Sequence, residues 1–274
     1  MNLSQLSLVG SENCDDFGVT DPAHRPDEET RPVFTYDDRI TAEFPTIRAG
    51  VVHATGLANG PSSPRLLDEY RAEQAAVLAR LAGHSIAELP SVAAWRRTFT
   101  RFGTKPTQYR NAAEALLRRL TKQGDIPSIS TLVDIGNLVS IRYAMPVAVV
   151  DLAGVDGGLT VCFADGSERF TDLGSTDAVP PDPGEVVFVD ASDVVAARRW
   201  CWRQSAQSGT GPTTTEALVI VEGHHEAATD EVEAAGADLV GLITAHQPAS
   251  SATVRFLSPE HPTSAPSADS DERA

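Results

Sequence analysis

A run of basic side chains is the first feature of this sequence that could do chemistry. Nine Lys or Arg residues and only three acids lie between residues 95 and 142, giving a local charge of about +6 in a chain of net charge -16. Local field matters more than total charge when a polyanion docks. The stretch predicts a polyanion-binding surface, and the alternative is a set of solvated helix faces. The bases expected to make the contacts are Arg96, Arg97, Arg101, Lys105, Arg110, Arg118 and Arg119.

Metal and nucleophile chemistry is not expected. His224 and His225 are adjacent, so in a strand they point to opposite faces, and the sequence indicates no third ligand. The three cysteines have no metal-type spacing, and Cys201 lacks a paired histidine signature. No serine lies in a nucleophile elbow, and no glycine-rich phosphate loop is present. We therefore predict no metal and no cofactor.

The segment around two tryptophans could bind a ligand. Arg203 carries a guanidinium fork that suits a phosphate or an α-carboxylate, although a strand-surface arginine is an equal alternative. Trp200 and Trp202 alternate about Cys201, so one is expected to point inward and the other outward. An outward tryptophan could stack on a terminal base, whereas an inward one would serve core packing.

Composition divides the chain into an ordered middle and two polar ends. Residues 1–32 and 258–274 are rich in acids, Pro and Ser and are predicted to be disordered tails. No stretch is long and apolar enough to span a membrane, and no basic region followed by an apolar stretch marks a secretory signal. An odd number of scattered cysteines fits a reducing, cytoplasmic location.

Hydrophobic periodicity predicts helices first and short strands afterwards, the order of an α+β protein with an antiparallel sheet core. One strand is expected before the helices, over residues 46–54. Thr107 is predicted to cap a helix that Gly124 ends. The other predicted helices are residues 64–83, 91–102, 131–143 and 230–241. The later strands are residues 147–152, 159–163, 168–170, 185–189, 194–198 and 217–222.

Several segments between residues 104 and 223 follow one another in a characteristic order and spacing. They are the helix 109–119, the Leu-Val-Asp and Asn segment 127–140, the Met-Pro-Val and Val-Val-Asp-Leu segment 145–152, the Gly-Glu segment 184–190, the Trp-Arg-Gln-Ser segment 202–205 and the Val-Ile-Val-Glu segment 219–222. In their order and spacing, residues 104–223 resemble the B3/B4 domain of the bacterial phenylalanyl-tRNA synthetase β subunit, and more closely the proteins that carry this domain alone.

This resemblance implies a fold in which N-terminal helices precede a layered antiparallel β-sandwich core of the B3/B4 type. Residues 96–246 would form that domain, and residues 33–95 would be an extension packed on it. The implied partner is tRNA or aminoacyl-tRNA, with no DNA expected. The implied reaction is removal in trans of a wrong amino acid, such as tyrosine on phenylalanine tRNA. Amino-acid activation and ATP binding are not expected.

The resemblance also assigns pocket residues. Glu222 falls on the family's glutamate that accepts from the tyrosine hydroxyl, and a buried acceptor rejects an analogue lacking the donor. Asn137 falls on the family's helix asparagine, with capping or a structural hydrogen bond as the alternative. Arg203, Gln204 and Ser205 replace the family's glycine pair in the pocket wall, so the pocket should be reshaped or filled.

One departure leaves the function open. Ala148 stands where the synthetase family commonly has a histidine, and alanine cannot donate, accept or shuttle a proton. No catalytic residue is therefore predicted. Three alternatives remain: an editing hydrolase that acts in trans, a non-catalytic module for tRNA or amino acids, and a relative in fold alone, which the net charge favours. The nucleic-acid alternatives require the bases to form a rim near Glu222.

Overall fold

The structure is a computed structural model that describes residues 34–265. The acidic segment predicted as a tail over residues 1–32 lies outside the described residues, as do residues 266–274 of the other predicted tail.

Six α-helices and eleven strands make up the described part of the chain. The helices are α1 (Asp38–Glu43), α2 (Pro64–Leu81), α3 (Pro90–Arg101), α4 (Ala112–Gln123), α5 (Thr131–Tyr143) and α6 (Ala228–His246). The strands are β1 (Phe34–Tyr36), β2 (Arg48–Thr55), β3 (Val147–Asp151), β4 (Leu159–Phe163), β5 (Phe170–Thr171), β6 (Ala178–Val179), β7 (Val186–Val189), β8 (Val195–Arg198), β9 (Arg203–Gln204), β10 (Glu216–Gly223) and β11 (Ser251–Leu257). The α+β class is confirmed.

The helix ends follow capping chemistry, with one correction. Gly124 ends α4 in a left-handed conformation at φ 86°, as predicted. The predicted cap Thr107 is wrong, because the helix begins five residues later at Ala112. Asn111 is the cap, and its side chain accepts from the Glu114 backbone N–H at 2.9 Å. Asparagine is one of the strongest N-cap residues, so the later start leaves residues 105–109 outside the helix.

Two sheets face each other. One has the strand order β11-β2-β10-β3 and is antiparallel throughout. The other has the order β1-β4-β7-β8-β9, in which β1 runs parallel to β4 and the remaining pairs are antiparallel. The expectation of an antiparallel core therefore holds for every pair in these two sheets except β1 with β4. The short strands β5 and β6 pair separately.

The alternation of β10 shows how the layers are built. Ala217, Val219 and Val221 lie in the core that the first sheet shares with α2, α4, α5 and α6. Leu218 and Ile220 lie in the second core, between the two sheets. Since successive strand residues point to opposite faces, Glu222 lies on the same side as Leu218 and Ile220 and faces the interior of the sandwich.

Residues before the predicted domain are part of the sheet. β2 is an inner strand and pairs with β10 over its whole length, from Thr55 with Glu216 to Arg48 with Gly223. Near the other end of the chain, Thr263 forms an antiparallel bridge with Thr35 of β1. The boundary predicted at 95/96 falls within α3, and residues 258–265, predicted as part of a tail, include the Thr263 bridge. The division of the chain into domains stays a prediction. No helix among residues 34–265 is long and apolar enough to cross a membrane.

Candidate functional site

The carboxylate of Glu222 is the polar centre of the space between the sheets. The residue is 2% exposed, near the end of β10, and its register partner in β2 is Ala49. Two side chains donate to the same oxygen, Oε1: the Tyr36 hydroxyl at 2.5 Å and the Trp200 indole N–H at 2.8 Å. The Trp95 indole N–H donates to the Glu222 backbone carbonyl at 3.3 Å. The carboxylate is therefore held rigidly, and Oε2 is the oxygen left for a ligand.

Burial dominates the electrostatics of this group. Desolvation raises the pKa of Glu222 to about 7, although the hydrogen bonds from Trp200 and Tyr36 act in the opposite direction. Burial likewise raises the pKa of the Tyr36 hydroxyl well above its ordinary value, with Glu222 adding to the effect. The pKa of the Cys201 thiol is raised well above its ordinary value by burial and by Glu222. Cys201 is thus a protonated thiol at neutral pH and no nucleophile.

A strained turn places Trp200 over Glu222. Residues 199–202 join β8 to β9, and both Arg199 (φ 44°) and Trp200 (φ 63°) adopt left-handed conformations. Such conformations cost roughly 1–2 kcal/mol per non-glycine residue. The Trp200 backbone N–H donates to the Val186 carbonyl at 2.6 Å, and the indole is fully buried. The surrounding contacts must outweigh the strain, and the turn fixes one donor on Glu222.

A small cavity opens beside the carboxylate. Pro146, Val147 and Ala148 line one wall, Ala112 of α4 contributes to it, and residues 200–204 form the opposite wall. The cavity volume is about 90 Å³. An apolar cavity that binds benzene measures about 150 Å³, so a phenol ring does not fit without movement of the wall. In this arrangement the site accommodates only a small group next to Glu222.

A ladder of planar groups, Tyr109, Arg199, Trp202 and Arg203, runs from the cavity wall. The Arg199 guanidinium carbon lies 4.0 Å from the Tyr109 ring centre and 4.9 Å from the Trp202 ring centre. The Arg203 guanidinium carbon lies 4.6 Å from the Trp202 ring centre. Trp202 and Arg203 line the Glu222 cavity, while Tyr109 and Arg199 line a neighbouring groove of about 370 Å³. This stacking ladder connects the two spaces.

A family model described as the B3/4 domain matches residues 94–235, more than half of the chain. The chain belongs to the B3/4 domain family. Among solved structures, the chain is similar to an N-terminal fragment of the phenylalanyl-tRNA synthetase β-subunit from Pyrococcus horikoshii, with 11% sequence identity and a TM-score of 0.39. The match covers 81% of this chain and 49% of that fragment, so the chain spans about half of its length. No curated protein matches the chain.

Within this B3/4 chain, three predicted pocket residues meet at the cavity: Glu222, Arg203 and Gln204. The Gln204 amide nitrogen donates to the Val149 carbonyl at 2.7 Å and to the Ser208 carbonyl at 2.6 Å, which leaves its carbonyl oxygen for a ligand. Arg203 is half-exposed and pairs with Asp172, so its guanidinium sits at the rim. These positions suit recognition of a polar group at the mouth.

The structure does not bring the other two predicted pocket residues, Ser205 and Asn137, to the cavity. Ser205 is fully buried, and its hydroxyl lies 3.0 Å from the Ser208 hydroxyl. Asn137 lies on α5 beside Tyr70 of α2, in the helix layer on the opposite side of the sheet from Glu222. The sequence placed Asn137 on the correct helix, but it did not show which face of the sheet that helix covers.

The predicted bases divide into distinct groups. Arg96, Arg110 and Arg118 converge on Oε1 of Glu114, at 2.8, 3.8 and 2.8 Å, and Glu114 is fully buried. Glu114 lies in the first turn of α4, near cavity-lining Ala112. The patch is therefore partly neutralised, since one carboxylate offsets part of the charge of three guanidinium groups.

The other four predicted bases are spread along the surface. Arg101 pairs with Glu43, and it lines a separate cavity together with Arg97. Lys105 lines the groove that contains Tyr109 and Arg199. Arg119 is exposed on α4 and bears electrostatically on Tyr70, which places it toward α2. A continuous basic rim around Glu222 stays a prediction.

Several residues at the site were not among those predicted. Tyr36 was missed because β1 is only the three residues Phe-Thr-Tyr, and its contact with Glu222 spans 186 positions. Arg199 was missed because a left-handed turn at non-glycine residues has no sequence signature. The expectation for the two tryptophans fits the structure: Trp200 is buried and Trp202 is half-buried.

The histidine pair does not form a metal centre. His225 Nε2 lies 2.9 Å from a Glu231 carboxylate oxygen, whereas His224 Nδ1 lies 3.3 Å from the Thr46 hydroxyl. The two imidazoles line separate cavities. Between residues 34 and 265 no group of three or more His, Cys, Asp and Glu side chains could hold a metal ion.

Proposed function

We propose that this chain binds the 3′ end of a tRNA, free or aminoacylated, at the mouth of the Glu222 cavity and acts as a binding module without synthetase activity. Membership of the B3/4 family and the resemblance of residues 104–223 to the synthetase domain support the choice of partner. The observation that carries the proposal is the stacking ladder, which lies beside the small Glu222 cavity. A cytoplasmic location belongs to the same proposal.

The ladder suits a single-stranded end. Unstacked bases bind to aromatic faces and guanidinium planes, and each stacked base contributes about 1–3 kcal/mol. Trp202 contacts the guanidinium groups of Arg199 and Arg203 and, edge-on, the Tyr109 ring at 4.9 Å, so a terminal base would stack on the half-exposed Arg203 end. Arg203 and Lys105 would carry the phosphate contacts on the two sides of the ladder.

The small size of the Glu222 cavity favours binding over tyrosine editing. Tyr36 and Trp200 already donate to the Glu222 oxygen Oε1, and the cavity of about 90 Å³ is smaller than a phenol ring requires. Ala148 lines the cavity and offers no proton-transfer group. A tyrosine hydroxyl would have only Oε2 to donate to, in a space that is too small for its ring.

One observation favours a second candidate, an editing hydrolase acting in trans. Burial raises the pKa of Glu222 to about 7, which is the range in which a carboxyl group can exchange protons at neutral pH. Glu222 also lines the cavity, so it could position or activate a water for ester hydrolysis. In that case the pocket walls, and Trp200 first of all, would have to open for the substrate.

Binding and catalysis are tested on the same reagents. We expect the purified protein to bind intact tRNA more tightly than tRNA lacking its last three nucleotides. Trp202→Ala and Arg203→Ala should each weaken binding about tenfold, the lower end of one lost stacking contact. Arg71→Ala is the matched control, because Arg71 is exposed on α2 and pairs with Asp68. Equal affinity for intact and truncated tRNA would refute the proposal.

The hydrolase candidate is decided by deacylation of tyrosine-charged phenylalanine tRNA with the wild type and Glu222→Ala. Turnover above the spontaneous rate that is lost in the variant would establish the hydrolase. Release at the spontaneous rate, together with retained binding of the 3′ end, would support the binding module.

A further inference from the structure

A second cavity, separate from the Glu222 site, lies at the side of the sandwich. Its volume is about 270 Å³. Phe44, Pro45 and Thr46, which follow α1, form one wall, and residues 94–101 of α3 form the other. His224 contributes to the lining from the residue after β10. The Trp95 and Trp200 rings contact the imidazole of His224, at 4.5 and 5.1 Å between ring centres, and Trp200 also contacts Glu222, so the indoles lie between the two sites.

The imidazole of His224 has an unmet hydrogen-bonding atom. The residue is 6% exposed, and its Nδ1 lies 3.3 Å from the Thr46 hydroxyl. Its Nε2 is buried without a hydrogen-bond partner among the described residues. A buried polar atom without a partner costs about 1–3 kcal/mol, so the surrounding packing must offset this cost. Burial lowers the pKa of His224 to about 3, with His225 and Arg48 adding to the effect, so the ring is neutral at pH 7.

The charges around this cavity are mostly positive. Arg97 and Arg101 are four residues apart on α3, so their side chains project from one helix face into the cavity wall. Arg101 pairs with Glu43, whereas Arg97 has no ion pair among residues 34–265. Arg48 donates to the backbone carbonyl of Ile47 at 2.7 Å and acts on His224 as a nearby positive charge, while exposed Glu260 bears on Arg48. The surroundings of the cavity therefore contain three guanidinium groups and two carboxylates, those of Glu43 and Glu260, which leaves a net positive charge.

We propose that this cavity binds a phosphate group, held by the guanidinium groups of Arg97 and Arg101 beside the neutral imidazole of His224. Two arginines on one helix face can each offer a pair of N–H donors, the geometry that suits phosphate oxygens. The hydroxyl of Thr98 in the wall adds a neutral donor. The Thr46 hydroxyl is engaged with Nδ1 of His224, and the neutral imidazole adds no charge to the wall.

The phosphate could belong to an RNA backbone or to a small phosphorylated molecule, since the same groups recognise both. An RNA phosphate at this site rests on the proposed function, because a tRNA bound at the mouth of the Glu222 cavity would have to continue past α3. A small phosphorylated molecule would bind independently of the proposed function. The site itself is independent of Tyr109, Trp202 and Arg203, which line the Glu222 cavity and the adjoining groove.

Inorganic phosphate is the first probe. The imidazole nitrogens of His224 are followed by NMR during titration at pH 7.5, with sodium chloride matched for ionic strength. We expect a saturable shift of the His224 Nε2 resonance. Arg97→Ala should weaken phosphate binding at least tenfold, and Arg97→Lys should restore part of it. Arg71→Ala, the same change on the exposed face of α2, should leave the titration unchanged. Thermal unfolding by circular dichroism checks that each variant is folded.

An unsaturable shift, or a titration of the folded Arg97→Ala protein that matches the wild type, would overturn the proposal. A second arm identifies the source of the phosphate. If tRNA displaces inorganic phosphate from the His224 signal, the site takes an RNA phosphodiester. If tRNA binds and leaves the phosphate signal in place, the site takes a small phosphorylated ligand. Trp202→Ala separates the two sites, since it should weaken tRNA binding while phosphate binding alone is retained.

Discussion

Replacing Glu222 with glutamine tests the buried carboxyl group directly. Glutamine has nearly the same shape and keeps an oxygen that can accept from Tyr36 and Trp200, but it cannot ionise. In the wild-type fold the pKa of Glu222 is about 7, against an ordinary value of 4.5. The fold therefore favours the protonated form, and ionising Glu222 in the folded state costs free energy.

The sign and size of the effect follow from linkage. Between pH 4.5 and about 7 the folded protein retains a proton on Glu222 that the unfolded chain has lost, so stability falls as the pH rises. Below pH 4.5 both states are protonated and the contribution is complete. At about 1.4 kcal/mol per pH unit, the contribution lost by pH 8 is about 3 kcal/mol. The Glu222→Gln protein should thus become more stable than the wild type, by about this amount, as the pH rises from 4.5 to 8.

The assay is urea unfolding followed by far-ultraviolet circular dichroism at pH 5, 6, 7 and 8. The quantity compared is the free energy of unfolding of Glu222→Gln minus that of the wild type at each pH, so other titrating groups cancel. Glu233→Gln is the control, since Glu233 is exposed on α6. It should give a constant difference. If the difference for Glu222→Gln is also constant with pH, the buried carboxyl titrates in the same way in both states and the reasoning is refuted.

Four further substitutions test the packing of the fold around the site. Tyr36→Phe removes one donor to Glu222 and should lower the free energy of unfolding at pH 8 by about 2 kcal/mol, measured by urea unfolding; an unchanged value would mean that the bond contributes nothing. Glu114→Gln leaves three arginines around a neutral group and should cost about 3 kcal/mol in the same assay, with a loss under 1 kcal/mol as the contrary result. A Cβ at Gly154 would lie 1.9 Å from a backbone carbonyl oxygen, so Gly154→Ala should lower the melting temperature. Gly241→Ala, with open space in α6, should raise it by stabilising the helix by up to about 1 kcal/mol, and similar melting temperatures would contradict this contrast.

Local hydrophobic patterns predicted the helices and strands whose own residues show a clear periodicity. α5 spans Thr131–Tyr143 and β4 spans Leu159–Phe163, as their periodicity indicated. β1 and β11 were not predicted, because β1 has three residues and β11 has a largely exposed, mixed pattern. Both strands form at the edge of a sheet whose position depends on distant segments, so short-range patterning carries little information about them.

In the candidate site, too, local patterns located some residues and missed those whose position depends on distant segments. Glu222 lies on a strand that the sequence predicts, whereas Arg203 and Gln204 lie on β9, which was not predicted and whose place beside the cavity came from the resemblance alone; a binding role for all three stays a prediction. The count of basic residues predicted a positive field that the structure reduces, because one buried glutamate forms ion pairs with three of the predicted arginines. Opposite charges one helical turn apart can pair, so the spacing of Glu114 and Arg118 was a usable signal, whereas the pairing with Arg96 across two helices was not.

The Glu222 site also depends on residues outside the matched family segment. The family model covers residues 94–235, yet Tyr36 of β1 supplies one of the two donors to the carboxylate. β2, likewise outside the segment, pairs with the whole of β10 and therefore fixes the position of Glu222 in the sheet. A chain reduced to residues 94–235 would leave one edge of β10 unpaired and Glu222 with one donor fewer. The chemistry at Glu222 is consequently a property of the domain together with its N-terminal strands, and assays should use the full chain.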